Sequence, residues 1–276
     1  MRTARRRPRR SIVYDDARVR IGRSTPAGAG STIETTERSP ATSANDDIRF
    51  SVPLYTVAEA ARFLGVAPST FGTWAHGYRR SFPGRKGVVA GPILTALGSA
   101  RKEASIPFVG LAEGMVVAAF RRAGVSMQHL RKAVAILERE IGFDHALASR
   151  RLYTDGARLL FDYAERAGDA ELAGLTVVVS QQKVFAEVVE EYLTRIEYGS
   201  DGWAESLVSP ATPNRTILVD PARSFGQPIF AHGAVRVEDV LDRWRAGESI
   251  AHVAEDFGVP AEDVEDYLRV AVPVAA

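Results

Sequence analysis

The chain has 276 residues, of which 46% are apolar and 25% charged, as is usual for one or two globular domains. It contains no cysteine, which excludes a disulfide scaffold, a thiolate zinc site, an iron–sulfur cluster and a cysteine nucleophile. This composition fits a reducing cytoplasm. The basic start MRTARRRPRR is not followed by an apolar stretch, and no apolar run approaches the roughly 20 residues that a membrane span needs. We therefore expect a cytoplasmic protein without a signal peptide.

The net charge of +1 conceals a strong asymmetry along the chain. Residues 1–50 and 51–110 each carry a net charge of +5, whereas residues 111–209 carry −4 and residues 210–276 carry −5. A basic front half favours contact with nucleic acid, and an acidic back half favours a protein partner because phosphate would repel it. The alternative for the back half is that acidic residues merely keep the surface soluble.

The predicted elements begin after a polar arm. Residues 1–47 have little to bury and are expected to form a disordered basic arm, either a DNA-binding tail or the product of an upstream start codon. Residues 54–77 predict two short helices joined by a tight turn. Residues 79–106 are rich in Gly, Pro and Arg and predict a loop or wing.

The middle of the chain predicts further helices and a little strand. Residues 108–123 form an apolar helical stretch, Gly124 breaks it, and Ser126 can cap a second helix that runs to about residue 141. Short strands are expected over 152–163 and 175–180, and a helix over 181–196. The stretch 198–214, which contains Gly, Ser and Pro, is expected to be a linker, and a last compact unit covers 216–270.

These elements predict a mainly α fold with small β elements. We expect a winged helix–turn–helix domain over 48–150, a connecting region over 151–209 that could support dimerisation, and a helical module over 210–276. The helices of 108–141 and 181–196 are the candidates for a homodimer interface, although packing within one core would explain them equally well.

The clearest internal pattern is a repeated helix–turn–helix. TVAEAARFLGVAPSTFGTWA, which begins at Thr56, aligns with SIAHVAEDFGVPAEDVEDYL, which begins at Ser249, at a constant offset of 193 residues. Each copy opens with a hydroxyl residue that can cap a helix and breaks at Gly-Val, where glycine can adopt the positive φ of a sharp turn. The repeat therefore predicts two units of the same shape.

The second helices of the two copies differ in chemistry. The first copy and the loop after it carry donors that can reach bases and phosphates. We expect DNA contacts from Ser69, Thr70, Thr73, His76, Tyr78, Arg79, Arg80, Arg85 and Lys86. Phe71 and Trp74 are expected in the core. The second copy carries Glu262, Asp263, Glu265 and Asp266 in its second helix, a face that phosphate would repel, and is expected to be a scaffold or a protein-binding module.

The segment YTVAEAARFLGVAPSTFGTWAHG resembles the opening of MerR-like winged helix–turn–helix domains, and more closely that of atypical VapB-type antitoxins. In those proteins this domain is joined to a C-terminal module known as domain of unknown function 433. The segments GVSMQHLRKAVAILEREIGFDHALASRRLYTDG and VDPARSFGQPIFAHGAVRVEDVLDRWRAGESIAHVAEDFGVPAEDVEDYLR are also similar to that family. The resemblance covers about residues 54–270.

The resemblance implies a type II toxin–antitoxin system. A member of the family would neutralise a PIN-domain ribonuclease encoded beside it and would repress its own operon by binding operator DNA. The toxin-binding region would then lie in the C-terminal module, for which we expect contacts from Phe225, Gln227, Phe230, His232, Arg236, Glu262, Asp263 and Asp266. The family's turn after Gly-x-Pro is usually rich in Gly and Thr, and His232, Gly233 and Arg236 depart from that pattern here.

The sequence carries no motif of an enzyme. It has no GxSxG, P-loop or GxGxxG motif, and none of its five histidines is spaced with two further ligands for a metal. His252 and Asp256 lie four apart on a predicted helix and are expected to form a surface hydrogen bond instead of a metal site, and Asp144-His145 is expected to cap a helix. We therefore expect a binding protein without a cofactor or metal.

Two other functions remain open at this stage. A stand-alone MerR-like transcriptional regulator that responds to a small molecule would share the front half, although metal sensors of that class commonly use cysteine and none is present. A nucleoid protein would need positive charge throughout, and the acidic back half argues against it.

Overall fold

The computed structural model describes residues 47–82, 85–98, 103–141, 145–152, 191–212 and 214–271. The predicted basic arm therefore lies outside the described residues, apart from Asp47. The same holds for the strands predicted over 152–163 and 175–180, apart from Leu152, and for most of the helix predicted over 181–196.

The first helix–turn–helix follows from local capping signals. After the short helix α1 (Ile48–Ser51), helix α2 (Val57–Leu64) begins with a reciprocal capping box. The Thr56 hydroxyl accepts a bond from the Glu59 amide at 3.2 Å, and the Glu59 carboxylate accepts one from the Thr56 amide at 2.8 Å. Gly65 then turns the chain with φ of 65°, and helix α3 (Pro68–His76) starts with proline in its first turn.

The predicted wing is an antiparallel hairpin. Strand β1 (Tyr78–Phe82) pairs with strand β2 (Arg85–Ala90), with Arg79 opposite Val89. After the hairpin, the amide of Ile93 donates to the carbonyl of Trp74 at 2.8 Å, so the chain is fastened back onto α3. The hairpin confirms the wing predicted from the Gly-, Pro- and Arg-rich sequence.

Two longer helices form the centre of the core. Helix α4 (Phe108–Arg122) is buried over its first twelve residues, which is why its sequence is apolar on all sides. Helix α5 (Met127–Ile141) follows, and the Ser126 hydroxyl accepts a bond from the His129 amide at 3.2 Å, as the sequence predicted for a cap. A 3₁₀ turn covers Ala146–Ala148.

A four-stranded antiparallel sheet corrects two sequence-based expectations. Its strands are β3 (Ile196–Tyr198), β4 (Ala204–Val208), β5 (Ile217–Val219) and β6 (Ile229–Phe230), in that order. Ile196 therefore starts a strand instead of ending a helix; of the described residues before it, 191–193 are helical. The stretch 198–214 contains β4 and is not a linker. Each strand is too short to show a clear alternation of apolar and polar residues. Its backbone hydrogen bonds are made with neighbouring strands, which the sequence of one strand does not reveal.

The C-terminal module repeats the first helix–turn–helix. Helix α6 (Val237–Arg245) precedes helix α7 (Ile250–Phe257), which the Ser249 hydroxyl caps. Gly258 then turns the chain at φ of 65°, the same value as at Gly65, and helix α8 (Ala261–Ala271) follows. The predicted repeat is thus confirmed as two units of the same local geometry.

The sheet connects the middle of the chain to its C-terminal part and lies against the first helix–turn–helix. The described residues, from 47 to 271, belong to one compact unit, and the expected boundary between 209 and 210 separates β4 from β5, which are hydrogen-bonded neighbours. The hydroxyl of Ser209 donates to the carbonyl of Phe63 in α2 at 2.5 Å. The segment that follows β4 is therefore fastened directly to the first helix–turn–helix. Among the described residues, every helix is too short or too polar to cross a membrane.

Candidate functional site

Helix α3 presents a polar outer face and an apolar inner face. Phe71 is fully buried and Trp74 is 3% exposed, with ring centroids 6.2 Å apart, so both belong to the core as predicted. Ser69 and Thr70, in the first turn, are exposed. The Thr73 hydroxyl donates to the carbonyl of Thr70 at 2.7 Å. The start of α3 is therefore the part of the helix that is free to meet another molecule.

Gly77 joins α3 to the wing in a conformation that requires glycine. Its φ of 71° and ψ of −171° lie outside the regions that L side chains adopt. A Cβ atom added there would also clash with the backbone carbonyl oxygen of Ala90. This glycine therefore fixes the angle at which the hairpin leaves the helix.

The remaining predicted DNA contacts lie on or beside this hairpin. Arg79 is exposed on β1, and Tyr78 beside it is 37% exposed. His76, at the end of α3, is half-buried. The backbones of Arg80, Arg85 and Lys86 belong to the wing strands, and their side chains lie outside what the structure describes.

An open groove of about 1050 Å³ brings most of these residues together. It lies between the start of α2, the outer face of α3 and the base of the hairpin. No acidic side chain is among the described residues that line it, so nothing in its described wall repels phosphate. The predicted residues that line it are Ser69, Thr73, His76, Tyr78 and Arg79.

The second helix–turn–helix has the opposite electrostatic character. Glu262 and Glu265 are exposed on α8, and Asp266 is paired with Arg269 at 2.5 Å. The guanidinium of Arg243 in α6 binds the carboxylates of Glu248 and Asp256, and these hydrogen bonds lower the pKa of both carboxyl groups below their ordinary values. These acids therefore stay ionised at neutral pH, and the surface remains acidic.

The structure separates the residues expected to contact a toxin into buried and exposed ones. Phe230 is fully buried against Tyr267, with ring centroids 6.2 Å apart, and Asp263 is 6% exposed. The carboxylate of Asp263 bonds to Nδ1 of His232 at 2.8 Å, so its role is to hold a loop. Strand β6 and the inner side of α8 turn Phe230 and Asp263 inward, so in this structure neither is exposed to a partner. The other expected residues have surface exposure: Phe225, Gln227, His232, Arg236, Glu262 and Asp266.

A strained turn precedes strand β6. Ser224, Phe225 and Gly226 have φ values of 47°, 53° and 73°, so three successive residues are left-handed and two of them are not glycine. Each non-glycine residue in this region costs about 1 kcal/mol or more. Phe225 is nevertheless 88% exposed. The chain thus holds a large apolar ring in solvent on a strained backbone.

This turn is bound to the residue before the first helix–turn–helix. The Tyr55 hydroxyl donates to the carbonyl of Gly226 at 2.8 Å, and Tyr55 directly precedes the Thr56 cap of α2. A Cβ atom on Gly226 would lie 2.9 Å from Cδ1 of Leu54 and 3.1 Å from the Tyr55 hydroxyl. The glycine of the Gly-x-Pro motif is therefore required by both its φ and this close approach, which sequence alone did not reveal.

A second feature that sequence reasoning missed lies inside the core. The carboxylate of Glu113, 4% exposed on α4, accepts bonds from the Thr95 amide at 2.6 Å and the Thr95 hydroxyl at 3.0 Å. Nδ1 of His145 lies 3.0 Å from the same carboxylate. His145 was expected to cap a helix, but its side chain makes no capping bond and instead joins this buried network. Asp144 lies outside the described residues.

No metal site emerges from the described residues: nowhere do three His, Asp or Glu side chains gather to hold an ion. Nε2 of His252 lies 3.8 Å from the carboxylates of Glu248 and Asp256, and its side chain is 60% exposed. These are ion-pair distances at the surface, longer than the hydrogen bond to Asp256 that the sequence favoured.

Comparison with known proteins accounts for both helix–turn–helix units. A family model described as "Putative DNA-binding HTH domain" matches residues 53–134, and one described as "Protein of unknown function (DUF433)" matches residues 217–271. The chain is 44% identical over 228 residues to "Putative antitoxin VapB45" of Mycobacterium tuberculosis, an alignment that covers 80% of this chain and 95% of that protein. This chain belongs to the VapB45-like antitoxin family.

The fold is shared with a solved structure. The crystal structure of Rv2018 from Mycobacterium tuberculosis superimposes with a TM-score of 0.65 at 41% sequence identity, covering 80% of this chain and 99% of that one. The resemblance noted in the sequence is thereby confirmed, together with the mainly α architecture and its N-terminal helix–turn–helix. As an antitoxin homologue with a DNA-binding domain, the chain is a regulatory, DNA-binding protein.

Proposed function

We propose that this antitoxin binds and neutralises a PIN-domain ribonuclease encoded beside it, and that it represses its own operon by binding operator DNA as a homodimer. The observation that carries the proposal is the division of charge between two units of the same shape. The groove beside α3 has no acid in its described lining, and α8 carries exposed carboxylates at the corresponding place.

The DNA contacts are assigned to the α3 groove. The exposed hydroxyl of Ser69 in the groove, and that of Thr70 next to it in the chain, suit base edges or phosphates, and Arg79 on the wing suits a guanine or a phosphate. The neighbouring arginines and lysine of the hairpin add positive charge along the chain. A homodimer would place two such grooves on half-sites about one helical turn apart.

The nuclease contacts are assigned to the C-terminal module. A ribonuclease needs a basic surface to hold RNA, so an acidic inhibitor can cover that surface and gain association rate by electrostatic steering. The exposed carboxylates of Glu262 and Glu265 on α8, which are ionised at neutral pH, supply such a surface. A role that combines operator binding with inhibition of a ribonuclease fits the cytoplasm, where we place the protein.

The proposal is tested by co-expressing the tagged chain with its neighbouring gene and by a mobility-shift assay on the promoter of that operon. We expect a small nuclease to co-purify and the promoter fragment to be retarded, with strong dependence on salt. Promoter binding without any captured nuclease, combined with thermal stabilisation by a metabolite, would contradict the antitoxin role. That result would favour the alternative, a MerR-like regulator that responds to a small molecule.

A further inference from the structure

Phe225 is the most exposed large apolar side chain among the residues that the structure describes. It is 88% exposed, whereas the next such side chain, Val89 on the wing, is 65% exposed. A phenylalanine in water forgoes the burial that usually stabilises it, so its retention at this place needs a reason beyond the fold.

The backbone around Phe225 gives no folding reason for the ring. Ser224 and Phe225 both occupy the left-handed region, which glycine or asparagine adopts more readily than they do. If the chain needed only to reverse direction here, a smaller residue would serve at lower cost. Strain of this kind is typical of positions where a side chain must be presented in one orientation.

The turn is held rigidly by bonds on both sides. The Asp220 carboxylate accepts bonds from the Ala222 amide at 2.8 Å and from Nε of Arg223 at 2.7 Å. The Gly226 amide donates to the carbonyl of Arg223 at 2.9 Å, and Tyr55 holds the carbonyl of Gly226. The position of the ring is therefore set before any partner arrives, which reduces the entropy lost on binding.

The surroundings of the turn indicate the kind of partner. An open groove of about 310 Å³ ends at Asp220, five residues before the ring. Its wall, as far as the structure describes it, holds four carboxylates and one guanidinium: Asp47, Asp201, Glu205, Asp220 and Arg49. Phosphate would be repelled here, and a second copy of this chain would bring another acidic module against the first. A basic protein surface with an apolar pocket complements both the ring and the charge.

We propose that Phe225 is the anchor by which this antitoxin holds its nuclease: the ring enters an apolar pocket on the nuclease whose rim is positively charged. The inference rests on the proposed function and names the residue that carries most of the contact. Aromatic side chains presented in this way are frequent hot spots, and the left-handed turn serves binding at the expense of stability.

The test measures affinity and stability on the same variants of the full chain. Phe225→Gly removes the ring and relaxes the left-handed backbone, whereas Phe225→Tyr retains a ring. Leu97→Ala is the matched control, because Leu97 is also exposed, at 46%, but lies far from the turn in sequence. The probe is the nuclease purified from the adjacent gene, with its dissociation constant measured by calorimetry and the antitoxin's melting temperature by circular dichroism.

We expect Phe225→Gly to weaken nuclease binding by roughly thirtyfold or more while its melting temperature stays equal to the wild type or rises. Phe225→Tyr should bind within a few-fold of the wild type, and Leu97→Ala should bind as the wild type does. Affinity and stability that move in opposite directions would mark Phe225 as a residue kept for its partner.

Three results would overturn the inference, and they are distinguishable. If the wild type binds the nuclease and Phe225→Gly binds equally well, the anchor assignment is wrong and the proposed function stands. If the wild type does not bind the nuclease, the proposed function fails and this inference fails with it. If the wild type alone self-associates in sedimentation and Phe225→Gly does not, the ring contacts a second copy instead.

Discussion

At the scale of single residues, Arg79 is the described cation best placed to contact DNA. It is exposed on the first wing strand and lines the α3 groove. A guanidinium can bind guanine through two hydrogen bonds or bind a phosphate as a charge, and the two roles leave different traces in an affinity measurement.

We expect Arg79→Ala to weaken operator binding by about 1–3 kcal/mol. If Arg79 contacts a guanine, the loss should be confined to operators that carry it; if it contacts phosphate, the loss should be uniform and the salt dependence should become shallower. Fluorescence anisotropy with operator variants at several salt concentrations separates the two. The control is Arg245→Ala, since Arg245 is also exposed but paired with Glu238 on the acidic module. Equal affinity in both variants would place the interface elsewhere.

Gly77 lies between helix α3 and the wing and fixes the angle between them. Its left-handed φ and the close approach of the Ala90 carbonyl oxygen leave no room for a side chain. We expect Gly77→Ala to lower the free energy of unfolding by about 2 kcal/mol or more and to reduce operator affinity at least tenfold.

Gly91 provides the matched control for that substitution, because a Cβ atom there would meet nothing within 4 Å and its φ is ordinary. Gly91→Ala should leave both quantities close to the wild type. Urea unfolding and anisotropy measure them, at a temperature where circular dichroism shows each variant to be folded. An unchanged operator affinity in Gly77→Ala would mean that the angle of the wing does not matter for DNA binding.

At the scale of elements, an ion-pair cluster fastens α1 to the turn between β3 and β4. The guanidinium of Arg49 binds the carboxylates of Asp47 and Asp201 and donates to the carbonyl of Ala204 at 3.3 Å. Burial alone would raise the pKa of both carboxyl groups, but the hydrogen bonds from Arg49 outweigh it and lower the pKa below the ordinary value of 3.8.

Because these pKa values are lower in the folded chain, the cluster stabilises the fold above pH 3.8 and this contribution is lost as the pH falls below it. We expect Arg49→Gln to cost about 1 kcal/mol at neutral pH, a modest value because Asp201 is 44% exposed and screened by solvent. The difference from wild type should shrink near pH 3, measured by urea unfolding. Arg49→Lys should keep part of it, and a difference independent of pH would contradict this assignment.

The elements that the sequence predicted correctly are those with strong local signals. Both helix–turn–helix units were found because Thr56 and Ser249 cap their helices and Gly65 and Gly258 turn the chain, all within one short window. The four-stranded sheet was missed because its strands are two to five residues long and are held by neighbours distant in sequence. Local pattern carries no information about such pairing.

The candidate site was predictable to a similar extent. The outer face of α3 follows from helical periodicity, which separates Ser69 and Thr70 from the buried Phe71. The inward direction of Phe230 and Asp263 depends on strand pairing and on how α8 packs, and the sequence did not reveal it. The strained turn at Phe225 likewise needed backbone angles.

At the scale of the whole molecule, the basic front half and the acidic end of the sequence form two units that contact each other. Gly226 of the C-terminal module bonds to Tyr55, which directly precedes the first helix–turn–helix, and Ser209, one residue before the module, bonds to Phe63 in α2. Between these contacts lies a cleft of about 80 Å³, lined by α2 and α8 residues. A partner on the C-terminal module would therefore lie close to α2, the first helix of the proposed DNA-binding unit.

The most direct test of this account is a titration of the ribonuclease from the adjacent gene with the purified chain, read out as cleavage of RNA. We expect the nuclease activity to fall linearly to near zero at a fixed stoichiometric ratio and to return when the chain is removed by protease or denaturant. Full nuclease activity at stoichiometric excess of the folded chain would contradict the proposed neutralisation.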